Sequence, residues 1–315
     1  MNSAIIGTDF KFPGQSSVYH GKVRDVYTIA DKILLVATDR ISAFDVVSKQ
    51  GIPYKGQVLN QIAAHQLEQT KDIVPNWVES VPDPNATLGK KAEVFKVEVI
   101  VRGYLVGSAW RSYQAGSRNL CGNKLPDGMR ENQKFDTPLL TPTTKADEGH
   151  DEDITGENVV AQSLTTAEEW SKITDYAFKL FARGTELAAK NGLILVDTKY
   201  EFGKLAGGEI ILVDEVHTPD SSRFFYADDY QKRFEQGEGQ KQLSKEFVRD
   251  WLLKQGYKGE TPVWPDMPDE FITEVSSRYI ELYEKFTGKR FIKPAENEDI
   301  NSRIEHNVIK ALEKL

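Results

Sequence analysis

Two apolar runs flank a pair of glycines in LILVDTKYEFGKLAGGEIILVDEV, residues 193–216. Runs of this kind are typical of strands, and Gly207-Gly208 suits a two-residue hairpin turn, because glycine tolerates the positive φ angles that such turns require. With these glycines at the turn, Glu201 lies directly opposite Asp214. The sequence therefore predicts two carboxylates on one face of a hairpin, with Cβ atoms roughly 5 Å apart.

This predicted acidic pair needs a compensating charge, since like charges that face each other destabilise a strand pair. Lys199 and Asp197 share the face of Glu201, because side chains alternate along a strand. A divalent cation would supply the compensation, and Mg²⁺ accepts one or two protein carboxylates while it keeps waters and substrate phosphates. The alternatives are that both carboxylates point to solvent, or that the register slips by one residue.

A glycine and two cations open an earlier predicted hairpin in HGKVRDVY, residues 20–27. Glycine lets backbone N–H groups approach phosphate oxygens closely, and Lys22 and Arg24 would offset the phosphate charge. The alternative is an ordinary basic surface strand. The segment is not a Walker A loop, because GxxxxGK[ST] occurs nowhere in the chain, and the lack of GxGxxG excludes a Rossmann dinucleotide motif.

Three further segments are candidates for binding anions. VRGYLVGSAW, residues 101–110, places Arg102 at a strand end and begins a helix near Ser108. A helix N-terminus offers free N–H groups, and arginine adds a bidentate clamp. TPDSSRF at 218–224 and DRISAFD at 39–45 combine charges with serines after predicted strands. Taken alone, each of the first two segments is better explained by ordinary turn and capping chemistry, and DRISAFD is similarly ambiguous.

An acidic stretch, TPTTKADEGHDEDIT at residues 141–155, holds five carboxylates with one lysine and one histidine. It has no apolar spacing that would hold a helix or a strand, so it is either a solvated loop or a loop that meets a charged ligand. It fails as a Ca²⁺ loop, because the central glycine and the terminal glutamate are misplaced. The five histidines of the chain show no zinc-binding spacing.

The elements that must position these residues form an α+β pattern. VRDVYTIADKILLV predicts a hairpin, VFKVEVIVRGYLVGS predicts a strand, and residues 116–150 are expected to be mostly loop. Thr165 and Glu168 predict a capping box for a helix that ends at Asn191-Gly192. Further helices are expected at Ser244–Gln255 and at about Pro268–Thr287, each followed by a glycine.

Composition narrows the class of protein. Of 315 residues, 39% are hydrophobic and 28% are charged, which is typical of a folded globular chain. The net charge of −8 makes nonspecific nucleic-acid binding an unexpected principal role. Cys121 is the single cysteine, so no intrachain disulfide is possible. No secretory signal is expected, and no apolar run approaches the roughly 20 residues that span a bilayer. We therefore expect a cytoplasmic protein.

Taken together, these segments resemble the SAICAR synthetase family of purine biosynthesis. The matching stretches occur in order over residues 20 to 225, and SKEFVRDWL resembles the family further on. They are GKVRDVY, ATDRISAFD, VRGYLVGSAW, TPTTKADEGHDEDI, LVDTKYEFG and LVDEVHTPDSSRF. The length and the long segment before TPTTK are similar to the larger single-chain form of the family.

The resemblance implies an α+β, SAICAR synthetase-like (ATP-grasp-like) two-domain core, with nucleotide in the interdomain cleft and a helical C-terminal part. The expected segments are a nucleotide-covering domain at 1–108, a central domain at 109–240 and helices packed on the core at 241–315. By the same resemblance, ATP contacts Gly21, Lys22, Val23, Arg24, Asp25, Val26, Glu98 and Lys199. The ribonucleotide contacts Ser42, Asp45, Arg102, Ser108, Asp220, Ser222 and Arg223. Glu201 and Asp214 match the Mg²⁺ ligands, and Lys145, Asp147 and Asp151 match a mobile loop near the reacting groups, where Lys145 and Asp151 join Lys199 as catalytic candidates.

The activity that the resemblance implies is a ligation that consumes ATP and requires Mg²⁺. It joins carboxyaminoimidazole ribonucleotide (CAIR) to L-aspartate through an acyl phosphate and gives SAICAR, ADP and phosphate. The expected partners are these small molecules, with no nucleic acid, no membrane and no obligate protein partner, and a monomer is expected. Two rivals use the same residue types: a small-molecule kinase would stop at a phosphorylated product, and a nucleotide-sensing module would bind ATP without turnover.

Overall fold

The computed structural model describes residues 4–44, 46–145, 151–243 and 246–314. Contacts divide the chain into two compact units. Unit 1 comprises Met1–Glu68, Trp77–Lys91 and Lys245–Leu315, and unit 2 comprises Gln69–Asn76 and Ala92–Ser244. The expected segments 1–108, 109–240 and 241–315 do not coincide with these units, because the C-terminal helices group with the N-terminal strands.

Unit 1 is built around a five-stranded antiparallel sheet with the order β1-β2-β3-β7-β6. Its strands are β1 (Gln15–His20), β2 (Arg24–Ile29), β3 (Lys32–Ala37), β4 (Ser42–Ala43), β5 (Val46–Val47), β6 (Val78–Asp83) and β7 (Ala86–Lys90). Its helices are α6 (Glu246–Lys254), α7 (Asp269–Thr287) and α8 (Ile300–Leu312), and α1 (Lys55–Thr70) begins in it. The predicted first hairpin is confirmed, since Ile29 pairs with Lys32 across a turn in which Ala30 has a φ of 51°.

The core of unit 1 forms where α8 packs against the sheet. Apolar residues recur on one face of α8, at the three- and four-residue spacing of an amphipathic helix. They join aromatic and aliphatic side chains of β2, β3 and β7 in one buried cluster. The cluster includes Ile300, Ile304, Val308, Tyr27, Leu34 and Leu88.

Unit 2 is built around a seven-stranded sheet in which β12, β9, β14 and β15 are neighbours in that order. Strand β13 also pairs with β9, while β8 and β16 pair with β14. The strands of unit 2 are β8 (Glu93–Val94), β9 (Val97–Tyr104), β10 (Asn119–Leu120), β11 (Asn123–Lys124), β12 (Lys134–Leu140), β13 (Thr143–Thr144), β14 (Leu193–Lys204), β15 (Ile210–Val213) and β16 (Ser222–Tyr226). Of these, β10 and β11 pair with each other in a separate two-stranded sheet. The helices are α2 (Gly107–Gln114), α3 (Gly156–Ala161), α4 (Ala167–Lys190) and α5 (Ala227–Gln236).

Helix α4 covers one face of this sheet. The ring of Tyr176 stacks on Phe202 of β14, with centroids 6.4 Å apart. Gly184 lies against the ring of His217, so closely that a Cβ there would come within 2.5 Å of it. Since Phe202 lies on the even-numbered face of β14, the odd-numbered side chains of this strand project from the other face of the sheet.

The second predicted hairpin forms between β14 and β15, but its register differs by one residue. Glu201 pairs with Val213 and not with Asp214. The connection covers residues 205–209, and the N–H of its first residue donates to the carbonyl of its last at 2.9 Å. This loop is longer than the predicted two-residue turn, so the expectation that Glu201 lies opposite Asp214 is wrong and the one-residue slip is the arrangement found.

The predicted capping box is also displaced by one residue. The side chain of Thr166 accepts from the N–H of Glu169, and the Glu169 carboxylate accepts from the N–H of Thr166. The helix ends as predicted, with Asn191 as its C-cap. Thr165, the residue before this N-cap, is buried. The side chain that reaches the first turn of the helix is therefore that of Thr166.

Three other expectations have clear outcomes. The described residues of 116–150 are mostly loop and turn, as expected, although they include β12, which pairs with β9 at the edge of the sheet. The helix expected at Ser244–Gln255 is α6, and Ser244 itself lies outside the described residues. The next expected helix is confirmed as α7, which ends at Gly288 with a φ of 66°. Within the described ranges, no helix has the length and apolar character needed to cross a membrane.

Candidate functional site

Charged side chains of β14 line up on the face of the sheet opposite α4. Asp197, Lys199 and Glu201 are two residues apart, and a strand advances about 3.3 Å per residue, so their Cα atoms are separated by steps of about 7 Å. Strand β9 lies alongside, with Asp197 paired with Arg102 and Lys199 paired with Ile100. The alternation predicted for the strand therefore brings all three charges to one surface.

Lys199 joins two carboxylates from neighbouring strands. Its Nζ donates to Glu98 Oε1 at 2.6 Å and to Glu201 Oε1 at 2.6 Å. The other oxygen of Glu201, Oε2, accepts from Nζ of Lys145. Both glutamates are buried. The four groups thus form a compact network of two cations and two carboxylates.

Burial and charge together set the protonation states of this network. Burial alone would lower the pKa of Lys199, but the charges of Glu201 and Glu98 outweigh it and raise that pKa above its ordinary value. Burial would likewise raise the pKa of Glu201, yet Lys199 and Lys145 bring it down to about 2. Lys199 is therefore an ammonium and Glu201 a carboxylate at neutral pH, so Lys199 acts as a cation and not as a base.

Glu98 differs from Glu201 although both bind the same lysine. Burial raises the pKa of Glu98, and the charge of Lys199 only partly offsets this. Glu98 accepts from one lysine, whereas Glu201 accepts from two. The negative charges of Glu201 and Asp151 also raise the pKa of Glu98.

A second cluster lies two residues earlier on the same face, where one carboxylate oxygen joins two arginines. Asp197 Oδ2 accepts from Arg102 Nη1 at 2.9 Å and from Arg223 Nη1 at 2.5 Å. Asp197 pairs in register with Arg102 of β9 on one side and with Arg223 of β16 on the other. The two guanidinium groups therefore converge over the central strand.

The start of α2 completes this cluster. Arg102 also donates through Nε to Thr141 Oγ1 at 2.9 Å and through Nη2 to Ser108 Oγ at 3.3 Å. Gly107, the first residue of the helix, has a φ of 57°, and a Cβ there would come within 2.6 Å of the Arg223 guanidinium. Two guanidinium groups, a serine hydroxyl and a helix N-terminus are together suited to binding an anion such as a phosphate.

Unit 1 carries the predicted phosphate loop between β1 and β2. The turn is closed by a hydrogen bond from the N–H of Gly21 to the carbonyl of Arg24 at 2.8 Å. Arg40 holds the turn from one side, since its Nη2 donates to the Gly21 carbonyl at 2.8 Å and its Nε donates to the Lys22 carbonyl at 3.2 Å. The backbone of the loop is therefore fixed before any ligand binds.

Asp25, one of the predicted ATP contacts, is fully buried, and its side chain holds the loop. Its Oδ1 accepts from Arg40 Nη2 at 2.8 Å and lies 2.9 Å from His20 Nδ1, while Oδ2 accepts from the Thr8 hydroxyl at 2.8 Å. Burial alone would raise the pKa of Asp25, but these hydrogen bonds outweigh it and lower the pKa. The carboxylate is thus a buried anion that orders the loop.

The sequence model of the family described as SAICAR synthetase matches residues 17–263, which is most of the chain. This chain belongs to the SAICAR synthetase family. Curated relatives named phosphoribosylaminoimidazole-succinocarboxamide synthase support this assignment to the family. The relative from Bacteroides thetaiotaomicron is 60% identical over 314 residues, and the one from Flavobacterium psychrophilum is 55% identical. Each match covers 99% of this chain and 99% of the relative.

Solved structures of the family have the same fold. SAICAR synthase from Saccharomyces cerevisiae in complex with SAICAR is 34% identical, with a TM-score of 0.80 that covers 92% of this chain and all of that chain. A type-2 SAICAR synthetase in complex with ADP is 24% identical, with a TM-score of 0.68 over 88% of this chain and all of that one. The α+β fold expected from the sequence, with its helical C-terminal part, is confirmed.

Several of the predicted site residues lie in unit 2, and the structure brings only some of them together. Lys145, Lys199, Glu98 and Glu201 share one network, and Arg102, Ser108 and Arg223 share the other. Ser222 is separate from Arg223, because its Oγ donates to Thr198 Oγ1 at 2.8 Å on the α4 side of the sheet. Asp214 follows β15 with a φ of 60°, and Asp220 lies in the turn that leads to β16.

The remaining candidates of the family motifs lie in unit 1 or outside the described residues. Ser42 pairs with Val47 in the two-stranded β4–β5 ribbon. Between these strands Phe44 has a φ of 51° and packs edge-on against Tyr257, with ring centroids 6.2 Å apart. Asp45 and Asp147 lie outside the described residues.

Sequence reasoning did not anticipate two of the structural anchors. Arg40 was noted only as one charge in an ambiguous motif, yet it fixes the phosphate loop. His217 is fully buried beneath β14, where its Nε2 is hydrogen-bonded to the Tyr200 hydroxyl at 2.8 Å. Burial lowers the pKa of His217 to about 3, so its imidazole is neutral. In the sequence, His217 lies between the predicted strand LVDEV and the turn TPDSS, and this position does not indicate that its side chain is buried.

Proposed function

We propose that this chain joins CAIR to L-aspartate at the expense of ATP and so makes SAICAR, ADP and phosphate in purine biosynthesis. Its relatives at 55% to 60% identity over nearly their full length carry the name of this activity. The single observation that carries the proposal is the row of charges on β14. One strand presents an anion-binding cluster around Asp197 and, two residues on, a lysine–carboxylate network around Lys199.

Two such groups on one surface suit a reaction with two phosphorylated substrates. The proposal assigns the ribonucleotide phosphate to Arg102, Ser108 and Arg223, with Ser42, Asp45, Asp220 and Ser222 as further substrate contacts. It assigns the ATP phosphates to Lys199 and to the loop at 21–26, with Glu98 close to the nucleotide. A kinase for a neutral small molecule or a nucleotide sensor would have no use for the first cluster.

The proposed chemistry activates a carboxylate that would otherwise be a poor acylating agent. The γ-phosphoryl group of ATP passes to a carboxylate oxygen of CAIR, which gives an acyl phosphate and ADP. The amine of L-aspartate then attacks the acyl carbon, an amide bond forms and phosphate leaves with the carboxylate oxygen. Lys199, held as an ammonium by its two carboxylates, stabilises the negative charge on the transferring phosphoryl group. No covalent enzyme nucleophile is required, so Cys121 has no role in the step.

Lys145 and Asp151 are proposed to act near the reacting carboxylate. Lys145 forms an ion pair with Glu201, and the charge of Asp151 raises the pKa of Glu98. A carboxylate here is suited to accept the proton that the attacking amine must lose. We therefore propose Asp151 as the candidate base and Lys145 as a second cation for the phosphoryl group.

Mg²⁺ fits the donor chemistry of this network, although no group of three or more acidic, histidine or cysteine side chains suited to a metal occurs among the described residues. Mg²⁺ takes only one or two protein carboxylates when phosphates and waters supply its other ligands. Glu201 would hold it, with Asp214 as the second proposed ligand. When bound, the ion supplies positive charge to the phosphate oxygens.

The test supplies purified protein with CAIR, ATP, Mg²⁺ and L-aspartate and follows both ADP and the amide product. We expect ADP release to depend on L-aspartate and to match SAICAR formation one to one. ADP release that is equal with and without L-aspartate, together with a phosphorylated product, would show a kinase. Binding of ATP with no ADP release under any of these conditions would show a sensor. Either result overturns the proposed ligation.

A further inference from the structure

We propose that Asp197 is a positioning residue that holds Arg102 and Arg223 together as a single phosphate clamp. This inference rests on the proposed function, which assigns the ribonucleotide phosphate to these arginines. Asp197 itself would not touch the substrate. Its role would be to fix where two guanidinium groups stand before the phosphate arrives.

The geometry of the pair carries the inference. Both guanidinium groups donate to the same oxygen of Asp197, one at 2.9 Å and the other at 2.5 Å. The arginines come from β9 and β16, the strands on either side of Asp197, and each is paired with it in register. The sheet therefore delivers two long side chains from opposite sides, and one carboxylate sets the point where they meet.

Without that carboxylate the two cations would repel each other. Asp197 is buried, with 5% of its surface exposed, so the charges around it are poorly screened by water. Two guanidinium groups that lie this close together in a buried environment need a negative charge between them. Thr141 and Ser108 also accept hydrogen bonds from Arg102 and orient that arginine.

Gly107 gives an independent sign that the position of Arg223 matters. The residue has a positive φ of 57°, and a Cβ in its place would lie within 2.6 to 2.8 Å of three atoms of the Arg223 guanidinium. The backbone at the start of α2 therefore leaves room for the guanidinium where Asp197 holds it. Glycine at this position and aspartate at 197 constrain the same group from two sides.

The first experiment compares wild type with Asp197→Asn, which keeps the side-chain shape but removes the charge. We expect KM for CAIR to rise by about tenfold to a hundredfold, since misplacement of a binding group by about 1 Å costs rates on that scale. KM for ATP and for L-aspartate should stay within about twofold, because Lys199 and its carboxylates are unchanged. A purely structural defect would instead move all three constants together.

A second variant guards against a fold defect in the first. Gly107→Ala leaves every charge in place but pushes the Arg223 guanidinium from its position. It should raise KM for CAIR selectively in the same way. If Asp197→Asn fails to fold, an unchanged KM for CAIR in Gly107→Ala still overturns the inference, because this variant moves the guanidinium that Asp197 is proposed to hold. The matched control is Asp72→Asn, which breaks the bidentate pair of Asp72 with Arg183 in the same unit and should leave all three constants unchanged.

Calorimetric titration of CAIR in the absence of ATP and L-aspartate separates this inference from the proposed function. Wild type that binds CAIR but makes no amide would refute the ligation, and the affinities of the two variants would still decide the role of Asp197. CAIR affinity unchanged in Asp197→Asn, or in Gly107→Ala, overturns the inference. Equal losses for CAIR, ATP and L-aspartate would overturn it as well.

Discussion

Substitution of Glu201 gives the most direct test of the proposed chemistry. Its carboxylate is buried and each of its oxygens accepts from a different lysine. Glu201→Gln removes the negative charge that the proposal uses for Mg²⁺ while it keeps a similar shape. We expect the turnover number to fall by about a hundredfold, as when one group that stabilises transition-state charge is lost, and the Mg²⁺ concentration for half-maximal rate to rise.

The measurement is ADP release across a series of Mg²⁺ concentrations, with circular dichroism to confirm the fold. Asp214→Asn, the second proposed ligand, should weaken Mg²⁺ dependence in the same assay. Asp175→Asn is the matched control, because it breaks an exposed ion pair with Lys179 on α4 and lies outside the charged row. Wild-type Mg²⁺ dependence in both Glu201→Gln and Asp214→Asn would remove the metal role proposed for the two residues.

For single residues, the sequence predicted the sheet face that a side chain occupies better than it predicted the hydrogen-bond partners of that side chain. Alternation along β14 was enough to place Lys199 and Glu201 on one face, and their hydrogen bond confirms it. The convergence of two arginines on Asp197 depends on which strands flank β14, and local sequence does not state that order. Asp25 illustrates the same limit, because a charge in a loop motif proved to be fully buried.

At the scale of elements, periodicity located the hairpins and the long helix, while their exact registers depended on loop conformation. The two glycines at 207 and 208 suggested a two-residue turn, but the chain uses the longer connection 205–209. A one-residue difference of this kind reverses which face a side chain occupies. Here it places Val213 directly opposite Glu201, while Asp214 lies one residue beyond the end of β15, where its φ of 60° departs from strand geometry.

The capping box of α4 offers a direct test of the register found. Thr166→Ala should lower the free energy of unfolding by about 1 kcal/mol, the usual cost of losing a side-chain N-cap. Thr165→Val should be neutral or stabilising, because the Thr165 hydroxyl is buried without a hydrogen-bond partner in the part of the chain that the structure describes. Urea denaturation of both variants measures this difference. A larger loss for Thr165→Val would contradict the assigned cap.

At the scale of the molecule, unit 1 is formed by segments that are far apart in the sequence. Its sheet comes from the N-terminal part, and its last three helices come from residues after 245. The sequence predicted α6 and α7 as separate helices and α8 only as part of a helical C-terminal segment. It could not assign them to a unit, because the apolar stripe of α8 carries no information about which sheet it covers. The side chain of Arg303 donates to Asp83 at 2.9 and 3.1 Å, which fixes α8 to the β6–β7 turn. The C-terminal helices are therefore part of the core of unit 1.

This assignment predicts that a single side chain of α8 stabilises unit 1 strongly. Ile304 is fully buried in the cluster with the sheet, so Ile304→Ala should lower the free energy of unfolding by about 2 to 5 kcal/mol, through lost burial and the cavity that remains. Ile292→Ala is the matched control, since Ile292 is 80% exposed in the same unit and its truncation should change stability by less than about 0.5 kcal/mol. Urea denaturation followed by circular dichroism compares the two. Equal stabilities would mean that α8 is not needed to cover the sheet, and that these helices are a surface addition to a core which is complete without them.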